Sequence, residues 1–583
     1  MGKIWRVSGP LIIADDMKGS QVYEVVEIGE EGLVGEIVGL EGDRAVIQAH
    51  EDTLGLRTGE VVTGTGMILS VELGPGLVGS IYDGLQKSLL TLGEQIGPFI
   101  RRGVKATPLP RDKKWQFTPR VKEGDAVGQG DIIGVVPETE LIEHRIMVPP
   151  GIRGTVKEIR KGDHTVEEPI AWVAQNGDVK ELTLLQRWPV RKPRPYKERF
   201  DPAGLLTTGM RILDYMFPLA LGGRASIPGG FGTGKTVALQ QLARWAQTHL
   251  NIYVGCGERG NEMADVLSSF RELKDPNTGR LLQEKEIFLA NTSNMPVVAR
   301  EASIFVGVTM AEYFRDMGYD VLLVADSTSR WAEAMREMSG RLEEMPGEEG
   351  FPAYMGSRLS SFYERAGMVE CLGNPGRQGS VTVAGAVSPP GADFSEPVTQ
   401  NTLRIVDALY ALEVTLANKR HFPAISWLTS YSLYVDAVKD WWNERDPGWE
   451  DTRAGALKVL QQEAELEEIV RLVGPEALPE DDKLLLLVAR MIREDFLQQS
   501  AYHEVDTYCM PAKAGLMLKT IMRFYDLARE MLDAGAGIET IRSSPMVYRI
   551  SRMKDIPNEE FEQRAKELWS EMEENLTTGK RGS

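Results

Sequence analysis

Cysteine is nearly absent from this sequence: three in 583 residues exclude a disulfide scaffold and fit a reducing compartment. Histidine is almost as scarce, six in all with no clustered ligand spacing, so structural zinc is not expected. No apolar run approaches the roughly 20 residues a membrane helix requires, so nothing is expected to span a bilayer. Positive charge is also short, with 66 Lys and Arg against 85 Asp and Glu for a net charge of -19. That balance argues against a broad nucleic-acid surface and leaves room only for a small basic patch or a basic protein partner. The opening Met1-Gly2-Lys3-Ile4-Trp5-Arg6-Val7 alternates like a strand and does not resemble a secretion signal.

What is present is enough apolar residue (42 %) for several packed cores, in a chain too long for one ordinary domain. Residues 1–70 hold short β-rich runs (Lys3–Val7, Leu11–Ala14, Gln21–Ile28, Gly32–Leu40, Asp43–Ala49) broken by charged and glycine turns, which predicts a small β-barrel. Residues 71–112 read as a linker with a short helix near Gly79–Leu92. Residues 113–184 read as an inserted β-rich domain. Its two stretches Val121–Asp131 and Ile146–Val156 have the V-x-x-G-D-x-V-x-x-G character of biotin- and lipoyl-carrier domains, but the tip lysine between methionines is missing. The similarity is therefore one of shape.

From 185 to 439 strands alternate with long helical runs, predicting an α/β layer domain with a mainly parallel sheet. Within it Pro296–Asp316 reads as a helix and Asp320–Ala325 as a strand buried on both faces. Residues 440–583 are expected to form a helical bundle, with apolar spacing near 3.6 over Ala456–Leu472, Asp482–Gln498, Lys513–Ala534 and Asn558–Leu576. The tail Thr577–Ser583 is expected to fray.

The chain is organised around Gly229-Gly230-Phe231-Gly232-Thr233-Gly234-Lys235-Thr236, which matches G-x-x-x-x-G-K-[ST]. A strand-like Ala225-Ser226-Ile227 precedes it, and a helical pattern from Val237 follows. Glycines let consecutive N–H groups turn inward on a phosphate, and the helix start adds its own free N–H groups and partial positive charge. Lys235 is expected to reach the β- and γ-phosphates of a nucleoside triphosphate, and the Thr236 hydroxyl to ligate Mg²⁺.

Two carboxylates accompany the loop. Glu258, in the turn Gly255-Cys256-Gly257-Glu258-Arg259-Gly260 after the strand Asn251–Cys256, is expected to orient the attacking water. Its neighbour Arg259 offers paired hydrogen bonds to phosphate oxygens or a brace for Glu258, with Glu262 behind them. Asp326, ending Val321-Leu322-Leu323-Val324-Ala325, has the form of a carboxylate that fixes Mg²⁺ through its hydration shell. Arg330 either turns to the phosphates or a neighbouring subunit, or pairs with Glu333 or Glu337 on its own helix. Cys256 reads as a buried small hydrophobe, and His421 as satisfying a local hydrogen bond.

Together with Asn291–Pro296, Ala311–Asp316, Ala325–Glu333 and Ser388-Pro389-Pro390-Gly391, these motifs resemble the catalytic A subunits of V/A-type rotary ATPases along the whole chain. The 113–184 insertion separates such subunits from the shorter catalytic chains of F-type enzymes. The resemblance implies a RecA-like P-loop fold for residues 185–439, ATP and ADP with Mg²⁺ as ligands, and three copies alternating with three non-catalytic B subunits around a central shaft. It also implies a peripheral stalk and indirect coupling to a membrane sector moving H⁺ or Na⁺, at the cytoplasmic side of the cell membrane. An arginine finger would come from the neighbouring B subunit.

By the same resemblance Phe422, Tyr502 and Tyr508 match the adenine pocket. Phe231 and Val237 join the nucleotide-binding set with Gly229, Gly230, Gly232, Thr233 and Gly234. The acidic Gly474–Lys483 matches the region that faces the shaft. Thr233 stands where eukaryotic vacuolar A subunits carry cysteine, which favours the bacterial or archaeal branch. The rival readings are a hexameric nucleic-acid translocase, a secretion ATPase and a structural subunit without catalysis. The acidic helical tail, the insertion, and the presence of both Lys235 and Glu258 respectively count against them.

Overall fold

A computed structural model describes residues 1–97, 103–104, 106–275 and 279–577. The expected frayed tail lies, from residue 578, outside the described residues. The chain forms two compact units, each assembled from separated segments. One comprises Met1–Asp201, Thr248–Val387 and Ser395–Ile405; the other comprises Pro202–Gln247, Ser388–Phe394 and Val406–Ser583.

The first unit opens with a closed six-stranded antiparallel barrel. Around it run Gly2–Ser8, Leu11–Asp15, Arg44–Ala49, Leu33–Glu41, Glu24–Ile28 and Val61–Ile68. Alternation along the strands puts Ile4, Ile12, Val26, Ile28, Ile37, Ile47 and Val62 into one core, and closure removes the exposed edges that would otherwise pair with other chains. Between residues 115 and 182 lie two four-stranded sheets, one containing Ile132–Pro137 beside Glu143–Met147, the other Gly154–Ile159 beside Ala171–Gln175.

The short helix of the 71–112 segment sits later than its sequence spacing suggests. It spans Leu89–Ile96, because Ser88 caps its start by accepting the Thr91 N–H at 3.3 Å. Ile81–Tyr82, inside the range expected to be helical, instead forms a buried strand parallel to Phe288–Leu289.

That strand edges a parallel sheet in the order Gln378–Val387, Asp320–Asp326, Leu250–Glu258, Glu286–Thr292 and Ile81–Tyr82. Strands buried on both faces need apolar residues at every position, which Val321–Ala325 supplies. The helix Val297–Asp316 is buried along nearly its whole circumference, so its charged residues require partners inside the unit. They have them: Glu301 meets Arg191 at 2.8 Å, Asp316 meets Arg194 at 2.6 Å, and Glu312 meets Arg365.

In the second unit Arg224–Pro228 pairs in parallel with Ala408–Leu409, which pairs antiparallel with Tyr431–Ser432. The longer helices that follow are Val435–Arg445, Trp449–Val473, Glu480–Met491, Pro511–Asp533 and Phe561–Thr577, with the short helices Ile538–Arg542 and Pro545–Ser551 before the last. The expected Asp482–Gln498 helix passes into a π-turn at Ile492–Leu497 before ending. Trp442 and Trp449 stack with ring centres 5.5 Å apart, and Tyr215 meets Trp442 edge-on while donating to Asp446 at 2.8 Å. No helix among the described residues is long and apolar enough to cross a membrane.

Candidate nucleotide site

The phosphate loop lies in the second unit. Strand Arg224–Pro228 ends in buried Gly229, which bridges in parallel to Leu412. A Cβ on Gly229 would come within 2.7 Å of both Leu412 Cβ and Thr233 Oγ1, so the tight approach requires glycine. The Thr233 hydroxyl donates to the Gly230 carbonyl at 2.8 Å and closes the loop on itself. Gly234 stands at φ 82° immediately before the helix Lys235–Trp245, and no side chain caps that helix. A start left uncapped, with Lys235 and Thr236 in its first turn, is a ready site for a polyphosphate. Lys235 Nζ donates to Ser388 Oγ, which gives a place to the Ser388-Pro389-Pro390-Gly391 motif that its sequence does not reveal.

Beside the loop lies a cavity of about 530 Å³, mostly apolar in its lining, with Gly232, Gly234 and Val237 on one side and Phe422 and Tyr502 on others. That volume suits a compact organic ligand. The Phe422 ring lies 3.3 Å from where a Gly234 Cβ would stand, flush against the loop. Tyr502 is 83 % exposed at the cavity edge, and Phe231 is 91 % exposed and not part of the wall. Tyr508 is buried behind the wall: its ring sits 5.9 Å from Trp245, and its hydroxyl accepts from Gln247 Nε2 at 3.0 Å.

The wall at residues 498–507 is held by a network that sequence patterns do not reveal. Arg211, fully buried, donates to Asp506 Oδ1 at 2.6 Å, to the Phe496 carbonyl at 2.6 Å and to the Gln498 carbonyl at 2.8 Å. Asp506 Oδ2 accepts the Ser500 N–H at 2.7 Å, and Gln499 Nε2 donates to the carbonyls of Gly209 and Asp506 at 2.8 and 2.9 Å. Behind this, burial pushes the Asp214 carboxyl up to about 7 against three donors from Thr208 and Gly209. His421 bonds locally through its backbone N–H, which donates to the Leu416 carbonyl at 3.0 Å, but its ring also reaches much further. Its Nε2 meets the Arg493 carbonyl, 72 residues on, at 2.9 Å, because the helical segment packs over it.

The carboxylates belong to the first unit. Glu258 is the last residue of Leu250–Glu258, half-buried, after a bulge at Cys256/Glu258 and a left-handed Gly257 at φ 75°. A Cβ on Gly257 would sit 3.0 Å from the side chains of Arg300 and Arg330, so these two arginines flank the Glu258 turn. Nothing local in the sequence marks Arg300 for this position. Arg330 takes up the intrahelical option, donating to Glu333 at 2.9 and 3.0 Å; that bond, and more weakly the charge of Glu258, raise its pKa.

Arg259 is exposed where the helix Gly260–Glu272 begins, and Glu262 lies in that helix's first turn. Asp326 ends its strand opposite Gly255, at the same C-terminal sheet edge as Glu258. Tyr253 donates to Asp326 Oδ2 at 3.0 Å, and burial plus that charge hold the phenol far above its usual pKa. Cys256 is buried, its thiol pushed up to about 12 chiefly by desolvation, which keeps it unreactive.

Ligands in open α/β sheets bind outside the carboxyl ends of strands, where Glu258 and Asp326 stand, and hard oxygen donors suit a magnesium ion. Among the described residues no group of three or more His, Cys, Asp or Glu could hold a metal ion.

Known family models match four successive regions. Residues 4–66 match the β-barrel domain of the ATP synthase alpha/beta family and 106–191 its barrel-sandwich domain. Residues 209–432 match that family's nucleotide-binding domain, and 439–542 the C-terminal domain of V and A type ATP synthase. The A subunit of the A-type ATP synthase of Staphylothermus marinus is 64 % identical over 573 residues, covering 98 % of this chain and 96 % of that protein. Its counterpart from Thermococcus sibiricus is 61 % identical over 561 residues, covering 96 % of each chain. The V-type ATP synthase alpha chain of Acetivibrio thermocellus is 54 % identical over 577 residues, covering 99 % of this chain and 98 % of that one. With four domain models matched in succession and A subunits of A-type ATP synthases 61–64 % identical along nearly its full length, the chain belongs to the ATP synthase alpha/beta family, among the A subunits of A-type ATP synthases.

Proposed function

We infer that this chain is the catalytic component of a rotary ATPase that hydrolyses or synthesises ATP and couples it, through a central shaft, to H⁺ or Na⁺ transport. The observation that carries this reading is the uncapped helix start at Gly234-Lys235-Thr236 beside a cavity of about 530 Å³, in a chain of that family. The loop N–H groups and Lys235 hold the polyphosphate and offset charge that builds on it as the terminal P–O bond breaks. The base lies in the cavity between Phe422 and Tyr502, with Val237 beneath, and Tyr508 stiffens the wall from behind. Glu258 orients the attacking water and receives its proton. Arg259 and Arg330 act as nearby cations, Arg330 after exchanging Glu333 for phosphate.

Thr236 and Asp326 supply oxygen donors for Mg²⁺, which when bound neutralises phosphate charge. Tyr253 fixes the rotamer of Asp326. Tyr253→Phe should therefore raise the Mg²⁺ concentration for half-maximal hydrolysis by about 10-fold, as loss of an outer partner commonly does, while changing saturated kcat much less. An unchanged magnesium dependence would remove that role.

Three copies alternate with three B subunits, whose arginine completes each site, and a peripheral stalk holds the ring at the cytoplasmic face of the membrane. Purified alone, the chain should hydrolyse ATP slowly, and addition of the B partner should raise the rate by about 10³-fold or more. Equal rates with and without the partner would sink the interfacial reading. RNA-stimulated turnover would instead favour a translocase.

A further inference from the structure

A second cavity, of about 520 Å³, lies wholly in the first unit, where the inserted β segment meets the loop that precedes Gln378–Val387. Three arginines, Arg120, Arg145 and Arg377, line it with a single carboxylate, Glu143. The lining thus carries a net positive charge in a chain whose net charge is -19.

Its two inner cations are held by carbonyls. Arg377 donates to the carbonyls of Asp316, Gly130 and Pro375 at 2.8, 2.8 and 3.1 Å. Arg145 donates through one terminal nitrogen to the Met317 carbonyl at 2.5 Å and lies over the Tyr319 ring at 4.8 Å. Among the described residues neither makes an ion pair with a carboxylate. Arg120, more exposed, stands 3.6 Å from Glu143 without a hydrogen bond. Burial lowers the pKa of Arg377 against the opposing charges of Asp316 and Asp131, and the neighbouring Arg145 charge pushes it further down. Two like charges share a partly desolvated space, while Arg145 and Arg120 keep N–H donors to offer.

The aliphatic side chains of Ile132 and Val135 complete the lining. The frame is stiff: the Ile132 N–H donates to the Asn374 carbonyl at 3.0 Å, and the Asn374 N–H donates to Asp131 at 2.6 Å. A cavity that combines a pre-set fork of guanidinium donors with aliphatic side chains selects by both charge and shape.

We propose that this cavity binds a small organic anion with an apolar body, its phosphate or carboxylate at Arg120 and Arg145 and its hydrocarbon against Ile132 and Val135. Arg377 supplies charge from behind. None of these residues belongs to the nucleotide site, so the two sites fill independently.

The test uses the full chain saturated with ADP, so that the nucleotide site does not contribute, and 1-naphthyl phosphate as probe in calorimetry. Saturable binding is expected, with 1-naphthol, lacking the phosphate, at least about 10-fold weaker. Arg145→Gln should weaken the probe about 10-fold or more and leave ADP affinity unchanged. Arg120→Gln, at an exposed position, should act in the same direction and serves if the Arg145 variant fails to fold. Binding that survives both substitutions, that vanishes in the presence of ADP, or that is absent up to about 5 mM probe overturns the proposal.

Discussion

Replacing Glu258 by Gln should lower kcat by about 10²- to 10⁴-fold in the reconstituted complex while leaving ATP and ADP affinity within a few-fold. The substitution keeps size and one acceptor oxygen, turns the other oxygen into an NH2 donor, and removes the negative charge that orients water and takes its proton. Its surroundings explain why the effect should be confined to the chemical step. The residue ends a strand whose earlier positions are buried, and the backbone there is fixed independently by Gly257 and by the Ser293 N–H donating to the Glu258 carbonyl at 2.9 Å. The side chain can therefore change without moving the turn. Single-turnover hydrolysis together with nucleotide titration separates the two effects. Near-normal turnover would strip Glu258 of its assigned role, whereas a parallel collapse of affinity would make it a binding residue.

Arg211→Met is expected to have the largest effect on stability. Its guanidinium is fully buried and serves three acceptors at 2.6–2.8 Å. Removing it strands the Asp506 carboxylate and two carbonyls away from water. Breaking a buried pair from one side costs about 3–5 kcal/mol, which corresponds to a fall of about 10 °C in the melting of a unit of this size. ADP binding should weaken as well, because the network shapes the wall at Ser500–Thr507. Adding Asp506→Asn should recover part of the loss, since the orphaned charge then disappears. A melting curve unchanged in Arg211→Met would show that water satisfies the wall and that the network holds nothing.

The contrast between these two residues shows what sequence alone can carry. Glu258 announces itself through neighbours in the chain: a strand, two glycines and a charged turn. The phosphate loop does so for the same reason, because a tight anion cradle is built from eight consecutive residues whose conformations glycine must permit. The barrel is legible through its period-two alternation, and the late helices through their 3.6-residue spacing. Arg211 has no such surroundings, and its partners lie 285–295 residues away.

The same kind of distance hides the Lys235–Ser388 bond and makes a near neighbour seem the natural partner for the His421 ring in place of Arg493. Tyr502 and Tyr508 look alike in sequence, six residues apart, yet one is on the cavity edge and the other is packed behind it, since only tertiary burial separates them. Ile81–Tyr82 reads as helix because two residues are too few to set a period, and the strand exists only by docking on Phe288–Leu289.

The threading of the second unit has a consequence for biosynthesis. Its phosphate loop is translated early, but the partners of its segment within that unit come later: Ala408, paired with Ala225, about 180 residues on, and Tyr508, packed on Trp245, about 260 residues on. At roughly 5–20 residues per second the emerging loop segment waits about 10–50 s for these companions. Throughout that interval the apolar strand Ala225–Ile227 and the inner face of Lys235–Trp245 lack their native cover within the unit. Ribosome-associated chaperones, acting on this window, would govern the yield of active chain more than the final stability does.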